Sequence, residues 1–258
     1  MELDDAYANG PHIPGGDGFA ALWKSKAEAF RAAVPGVLNQ PYGERPREVF
    51  DLFEPKHRAL GTVVFVHGGY WRSTDKDLWT HLAAGPLARG WRVAVVDYDL
   101  CPYVTIPQIR QQIAAAVNAI AARCSGPLRL AGHSAGGHLV AQMLDPQVAG
   151  DWLDRVTGVV PISPLSDLEP FLRTSMNADF GLDAATARAE SPIHQPVPTV
   201  PVTVWVGGAE RPAFLDQARW LGQAWNCPVV IDAGRHHFDI IAGLEDAGSK
   251  LTDAVVGG

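Results

Sequence analysis

Cysteine is scarce in this 258-residue chain. Its three cysteines, Cys101, Cys124 and Cys227, lie far apart, are odd in number and form no C-x-x-C pair. That pattern argues against a disulfide framework and a cysteine zinc site and predicts buried free thiols. Basic clusters are missing too: 21 Lys and Arg face 28 Asp and Glu, for a net charge of −7. Nucleic-acid binders usually carry a basic patch, so no nucleic-acid partner is expected, and the acidic excess serves solubility. No apolar run approaches membrane-spanning length, and no membrane partner is expected. The first residues, Met1-Glu2-Leu3-Asp4-Asp5, are acidic and do not read as a secretory signal, which predicts a cytoplasmic protein. Neither H-E-x-x-H nor H-x-x-E-H occurs, so no metal site is expected. Internal repeats and low-complexity segments are absent as well.

What is present is a hydrophobic content of 47%, enough for one substantial core and one domain over 1–258. Residues 1–40 read as an N-terminal arm and helix: 1–18, rich in Gly, Pro and Asp, are irregular, and Phe19–Ala33 is helical. Buried strands are predicted at 61–66, 92–96, 128–133, 156–162, 200–206 and 229–233, with a further strand at 47–53. The continuous apolar runs fit parallel strands covered on both faces. Helices are predicted at 75–89, 107–123, after residue 134, at 211–225 and at 239–254. The alternation implies an α/β fold with a mostly parallel, doubly wound sheet. Residues 164–199 break the rhythm with short helical pieces at 167–177 and 183–190 and a proline-rich exit. An insertion at the carboxyl end of a sheet usually covers a site, so this segment reads as a small cap.

The decisive motif is Gly132-His133-Ser134-Ala135-Gly136, between an apolar strand and a helix. G-x-S-x-G in that setting is the nucleophile elbow of the α/β-hydrolase fold. The serine sits on a strained turn, and the glycines clear the neighbouring backbones. A serine hydroxyl needs a base to take its proton and an acid to orient that base. In this fold the partners follow in the order Ser, acid, His. The loop after strand 200–206 supplies Glu210, placed ahead of its rival Asp216, which falls inside the next helix. The loop after strand 229–233 supplies His236 and His237, which physical reasoning alone leaves as alternatives. The oxyanion of a tetrahedral intermediate needs preorganised donors. The Ala135 N–H is one, and the loop His67-Gly68-Gly69-Tyr70 supplies the N–H groups of Gly69 and Tyr70. His133 reads as a packing residue of the elbow, and His138 as structural. Asp97 and Asp99 are expected to bond local backbone. His12, His57, His81 and His194 are left as surface or loop residues. Of the eight Trp, most are expected to fill the core.

The combination of His67-Gly68-Gly69-Tyr70-Trp71 with Gly132-His133-Ser134-Ala135-Gly136-Gly137-His138-Leu139 resembles the kynurenine formamidase (arylformamidase) branch of the α/β-hydrolases. That branch neighbours the hormone-sensitive-lipase-like esterases. His237-Phe238-Asp239-Ile240-Ile241 is similar to the segment that carries the family's catalytic histidine, which favours His237 over His236. Asp97-Tyr98-Asp99-Leu100-Cys101-Pro102 also resembles the family's fourth strand and its exit. The likeness runs from about residue 42 to 245. It departs at the acid, where family members usually carry Asp and this chain has Glu210.

The resemblance implies hydrolysis of N-formylkynurenine, a step of tryptophan catabolism, with Ser134, Glu210 and His237 as the triad and no cofactor. The expected partner is a small-molecule substrate, and a homodimer stays open. Tyr70, Trp71, Tyr103, Phe171 and Phe180 are expected to wall an apolar pocket for the aryl group. The arm, with Tyr7, Asn9, Gly10, Pro14 and Trp23, is a candidate to fold over that pocket. Two alternatives stand beside this reading: a carboxylesterase for short-chain esters, and a non-catalytic ligand-binding relative. The intact set of serine, acid, histidine and oxyanion glycines counts against the second.

Overall fold

The sheet is built around runs of residues that have no polar face to offer solvent. In the computed structural model, which describes residues 1–257, eight strands form one sheet. They are β1 (Gly36–Pro41), β2 (Val49–Phe53), β3 (Thr62–Val66), β4 (Arg92–Val96), β5 (Leu128–His133), β6 (Val156–Ile162), β7 (Val204–Gly207) and β8 (Val229–Asp232). The spatial order is β1-β2-β4-β3-β5-β6-β7-β8. From β4 to β8 neighbours pair in parallel, whereas β1 and β2 are antiparallel. Every residue of β3 is buried, as a central parallel strand covered on both faces requires.

The helices are α1 (Phe19–Ala33), α2 (Ala84–Ala88), α3 (Ile106–Arg123), α4 (Ala135–Gln142), α5 (Asn177–Phe180), α6 (Ala184–Ala189), α7 (Pro212–Trp225) and α8 (Lys250–Val256). α3 starts with a capping box between Thr105 and Gln108 and buries the stripe Ile106, Ile109, Ile113, Ala116, Val117 and Ile120, an amphipathic spacing. α4 is buried along its whole length. It lies so close to the sheet that a Cβ on Gly136 would stand 2.0 Å from the Val66 carbonyl oxygen. Two hydrophobic clusters cover the two faces of the sheet.

Several expectations need correction. The predicted helix over 75–89 is two 3-10 turns, Lys76–Leu78 and Thr80–Ala83, followed by the short α2. The Asp75 side chain caps a tight turn through Asp77 N–H, and Pro86 removes a helical donor. Residues 239–254 are likewise divided into a 3-10 segment, Ile240–Glu245, and α8. Ser249 caps the second piece by accepting from Thr252 N–H. Strand β1 was not predicted; it is an edge strand with almost no buried residue. In the cap, the first predicted piece is a 3-10 turn, Glu169–Arg173, and then α5. Cys101 and Cys124 are buried, but Cys227 is only half-buried.

The sheet order reverses at β3, whose neighbours β4 and β5 follow it in sequence on opposite sides. In such sheets ligands bind at the carboxyl ends of the strands beside that reversal. The loops that leave β3 and β5 there are His67-Gly68-Gly69-Tyr70 and the serine turn.

Candidate active site

Ser134 stands between β5 and α4 with φ +56° and ψ −118°. A non-glycine residue in such a conformation costs on the order of 1–3 kcal/mol and persists only when its surroundings hold it. Here its N–H donates to the Ile162 carbonyl at 2.8 Å, and its own carbonyl accepts from His138 N–H. Gly132 and Gly136 leave the room the turn needs: a Cβ on Gly132 would meet the Gly136 carbonyl oxygen at 2.2 Å.

Glu210 and His237 are brought together by the loops after β7 and β8. The Ala209 N–H donates to the Arg235 carbonyl at 2.9 Å, and Gly208 N–H to the Asp232 carbonyl at 2.8 Å. The His237 Nδ1–H donates to Glu210 Oε2 at 2.6 Å. The other oxygen, Oε1, accepts from Gly207 N–H at 2.8 Å and from the Ser163 hydroxyl. Both side chains are almost fully buried. The Phe214 ring lies 4.2 Å from the imidazole. This arrangement fixes one tautomer and leaves Nε2 of His237 as the free acceptor. No direct hydrogen bond joins that nitrogen to Ser134 Oγ among the described residues, but both residues wall the same cavity. Such contacts are often loose without substrate.

Asp216 is not part of the site: it is half-buried on α7 and pairs with Arg219. His236 is half-buried, and its Nδ1 accepts from the N–H groups of Phe238 and Asp239. It shapes the loop rather than facing the cavity. His133 is buried and donates its Nε2–H to the His237 carbonyl at 2.9 Å. Burial and the neighbouring His237 push its pKa well down, so it is neutral. His138 accepts from Trp71 Nε1–H and donates to the Glu190 carbonyl, and burial lowers its pKa to about 4.

The loop after β3 is a run of left-handed backbone: Gly69 has φ +107°, Tyr70 +53° and Trp71 +56°. A Cβ on Gly69 would meet the Ser73 carbonyl oxygen at 2.3 Å, so only glycine fits there. Neither Gly69 N–H nor Tyr70 N–H has a protein acceptor among the described residues. The Ala135 N–H opens α4 and therefore has no intrahelical acceptor. His67, at the root of the loop, stacks on Tyr98 at 4.3 Å and meets Asp97 at 3.2 Å. Asp97 also takes Arg47, while Asp99 pairs with Arg45 and Gln112. Both aspartates thus bind side chains more than local backbone, contrary to expectation. His81, expected at the surface, is buried near Glu245, and desolvation lowers its pKa to about 4.

The cavity measures about 410 Å³. Its walls correct the predicted pocket: only Tyr70 of the expected aromatics lines it. Trp71 is fully buried and meets His138, Phe171 and Phe180 edge-on, so these three aromatics fill the core. Tyr103 is 89% exposed. The aromatic wall comes instead from Trp23, Trp79 and Phe238, with ring centroids of Trp23–Trp79 at 4.6 Å and Trp23–Phe238 at 5.3 Å. Asp4, Tyr7, Ala8 and Asn9 of the arm close the other side. Among the described residues, no group of three or more His, Cys, Asp or Glu converges to hold a metal ion. None of the described helices is long and apolar enough to cross a membrane.

Comparison with known proteins agrees with this architecture. A family profile for the α/β-hydrolase fold matches residues 63–195. The kynurenine formamidase of Drosophila melanogaster is 32% identical, the match covering 78% of this chain and 74% of that protein. The kynurenine formamidase of Salmo salar is 29% identical over 90% of this chain and 85% of that protein. A crystal structure from Silicibacter sp. TM1040, described as a candidate thioesterase, is 53% identical, covers both chains completely and superposes with a TM-score of 0.98.

Proposed function

Because the chain belongs to the α/β-hydrolase fold family, in its kynurenine-formamidase-like branch, we propose that it is a serine hydrolase of an aryl formamide such as N-formylkynurenine. The observation that carries this reading is the 2.6 Å Glu210–His237 pair beside Ser134 in one aromatic cavity. Ser134 Oγ attacks the formyl carbon while His237 Nε2 takes its proton. Glu210 stabilises the imidazolium that forms. The oxyanion takes the free N–H groups of Ala135, Gly69 and Tyr70, each worth roughly 10²–10³ in rate. His237 then gives its proton to the leaving arylamine nitrogen, the C–N bond breaks, and a formyl ester stays on Ser134. Water, deprotonated by His237, attacks that ester and releases formate.

The substrate class follows from space and surface. A formyl group needs no acyl pocket, and Gly68, in the loop after β3, packs close against the nucleophile's turn. A Cβ on Gly68 would stand 3.0 Å from Ser134 Cβ. The aryl ring has an apolar wall in Trp23, Trp79 and Phe238. A second reading, cleavage of a short acyl ester or thioester, is favoured by the description of the 53% identical structure. Steady-state kinetics on N-formylkynurenine, p-nitrophenyl acetate and an acetyl thioester decide between them. The highest kcat/KM is expected for N-formylkynurenine; a tenfold advantage for either ester would reassign the substrate.

A further inference from the structure

The serine-hydrolase reading leaves one part of the site without a role, the N-terminal arm. The strained loop of Gly69, Tyr70 and Trp71 needs something to hold it, since bulky residues leave this backbone region when free to do so. Its two ends are held. Gly69 accepts from the N–H groups of Arg72 and Ser73. The Trp71 carbonyl accepts from Cys101 N–H at 2.7 Å, and its indole donates to His138. Tyr70, in the middle, makes no backbone hydrogen bond among the described residues. Its polar tether is its phenol, which donates to the Tyr7 carbonyl at 2.5 Å and accepts from Asn9 Nδ2 at 3.3 Å.

The arm that receives this phenol is itself fixed. Tyr7 is buried, its ring 4.6 Å from Phe171, and its hydroxyl accepts from Gln217 Nε2 at 2.9 Å. Gln217 Oε1 is in turn satisfied by the N–H groups of Ser166 and Asp167. Asp4 caps Ser175 N–H at 2.6 Å, and Asp5 pairs with Arg211, the neighbour of Glu210, at 2.7 Å. The arm thus connects the cap, the acid loop and the loop after β3.

We propose that the N-terminal arm is part of the catalytic unit: the Tyr70 phenol, gripped by the Tyr7 carbonyl and the Asn9 amide, is a positioning group that holds the Gly69 and Tyr70 N–H groups on the oxyanion. This rests on the serine-hydrolase reading, because only an oxyanion gives those amides a task. A displacement of about 1 Å at such donors costs on the order of 10²-fold in rate, and the ground state is little affected because the charge has not yet developed.

The test compares wild type with Tyr70→Phe, Asn9→Ala, the double variant and a chain lacking residues 1–9, using p-nitrophenyl acetate. Tyr70→Phe keeps the ring and its packing but loses the latch. Its kcat is expected to fall about 10- to 100-fold, with KM within about threefold. Inhibition by phenylboronic acid, which places a tetrahedral anion on the serine, should weaken by the same factor. Asn9→Ala should lose less, and the double variant should be no worse than Tyr70→Phe, because both remove one latch. If the shortened chain does not fold, Tyr70→Phe carries the test alone. A Tyr70→Phe enzyme with kcat within twofold of wild type, or a loss confined to KM, overturns the latch. A wild-type protein inert towards both p-nitrophenyl acetate and N-formylkynurenine, and unlabelled by a fluorophosphonate, overturns the hydrolytic reading itself.

Discussion

His133 donates its Nε2–H to the main-chain carbonyl of His237 at 2.9 Å, and their rings lie 4.6 Å apart. The residue just before the nucleophile therefore fixes the backbone of the base. Neutral His133 can serve as this donor without bringing a charge next to an imidazole that must itself become positive. His133→Ala is expected to lower kcat by about tenfold or more, because the base loses its register with Ser134. Kinetics with p-nitrophenyl acetate would check this, and an unchanged kcat in a folded variant would remove His133 from the positioning of the base.

Ser134→Ala should abolish hydrolysis and leave the fold intact. A fluorophosphonate should label Ser134 and no other serine, read by mass spectrometry of the digested protein. Of the paired histidines, His237→Ala should cost several orders of magnitude, and His236→Ala far less, because His236 points its Nδ1 back at its own loop. The reverse ranking would exchange their roles.

Glu210→Gln should reduce kcat by about 10⁴-fold, the scale seen when a triad acid loses its charge and the imidazole tautomer is disturbed. Glu210→Asp tests the geometry. The longer side chain spans the gap from the loop after β7 to Nδ1 while also binding Gly207 N–H. A carboxylate one methylene shorter cannot keep both contacts, so Glu210→Asp should fall between wild type and Glu210→Gln.

Strands β3 to β6 were legible because a parallel strand buried on both faces is written as an unbroken apolar run. The elbow was legible because the close approach of α4 to the sheet demands glycines at fixed spacing. Strand β1 was not, since an exposed edge strand carries no apolar alternation. The cavity walls were only partly legible, for a tertiary reason. Trp71 follows the loop after β3 in sequence, but its positive φ turns the indole into the core. Trp23 and Phe238 lie 215 residues apart in sequence and meet only when α1 packs over the base loop. Tyr7, Asn9, Gly10 and Trp23 belong to the arm expected over the pocket and do line the cavity, but nothing local to Tyr7 and Asn9 announces the Tyr70 contact.

The acyl side of the cavity predicts a steep size dependence. With Gly69 and Tyr70 lining the cavity beside Ser134, acyl groups beyond about four carbons should be overpacked, at a cost of ~1–3 kcal/mol. That is about tenfold to a hundredfold in kcat/KM. A p-nitrophenyl ester series from acetate to decanoate would measure it. A preference for decanoate would mean an open acyl groove and would remove the case for a formamide substrate.

Stability should fall in mild acid, because His81, His138 and His133 are buried neutral. Their ordinary pKa is 6.5, and burial lowers His81 and His138 to about 4 in the folded chain. Between those values the unfolded state binds protons that the folded state refuses, so unfolding becomes easier as pH drops. Each histidine should remove about 2 kcal/mol between pH 7 and pH 5. His133, held neutral in the same way, adds in the same direction. Glu190 opposes them, since burial raises its pKa and the folded state takes up its proton early. Urea unfolding at pH 7 and pH 5 should therefore show a loss of several kcal/mol. His81→Gln separates the contributions: His81 Nδ1 has no protein partner, so its replacement takes away a titrating group and no hydrogen bond from that atom. The variant should lose about 2 kcal/mol less than wild type over the same interval. An equal loss in both proteins would show that His81 is not one of the groups behind the acid sensitivity.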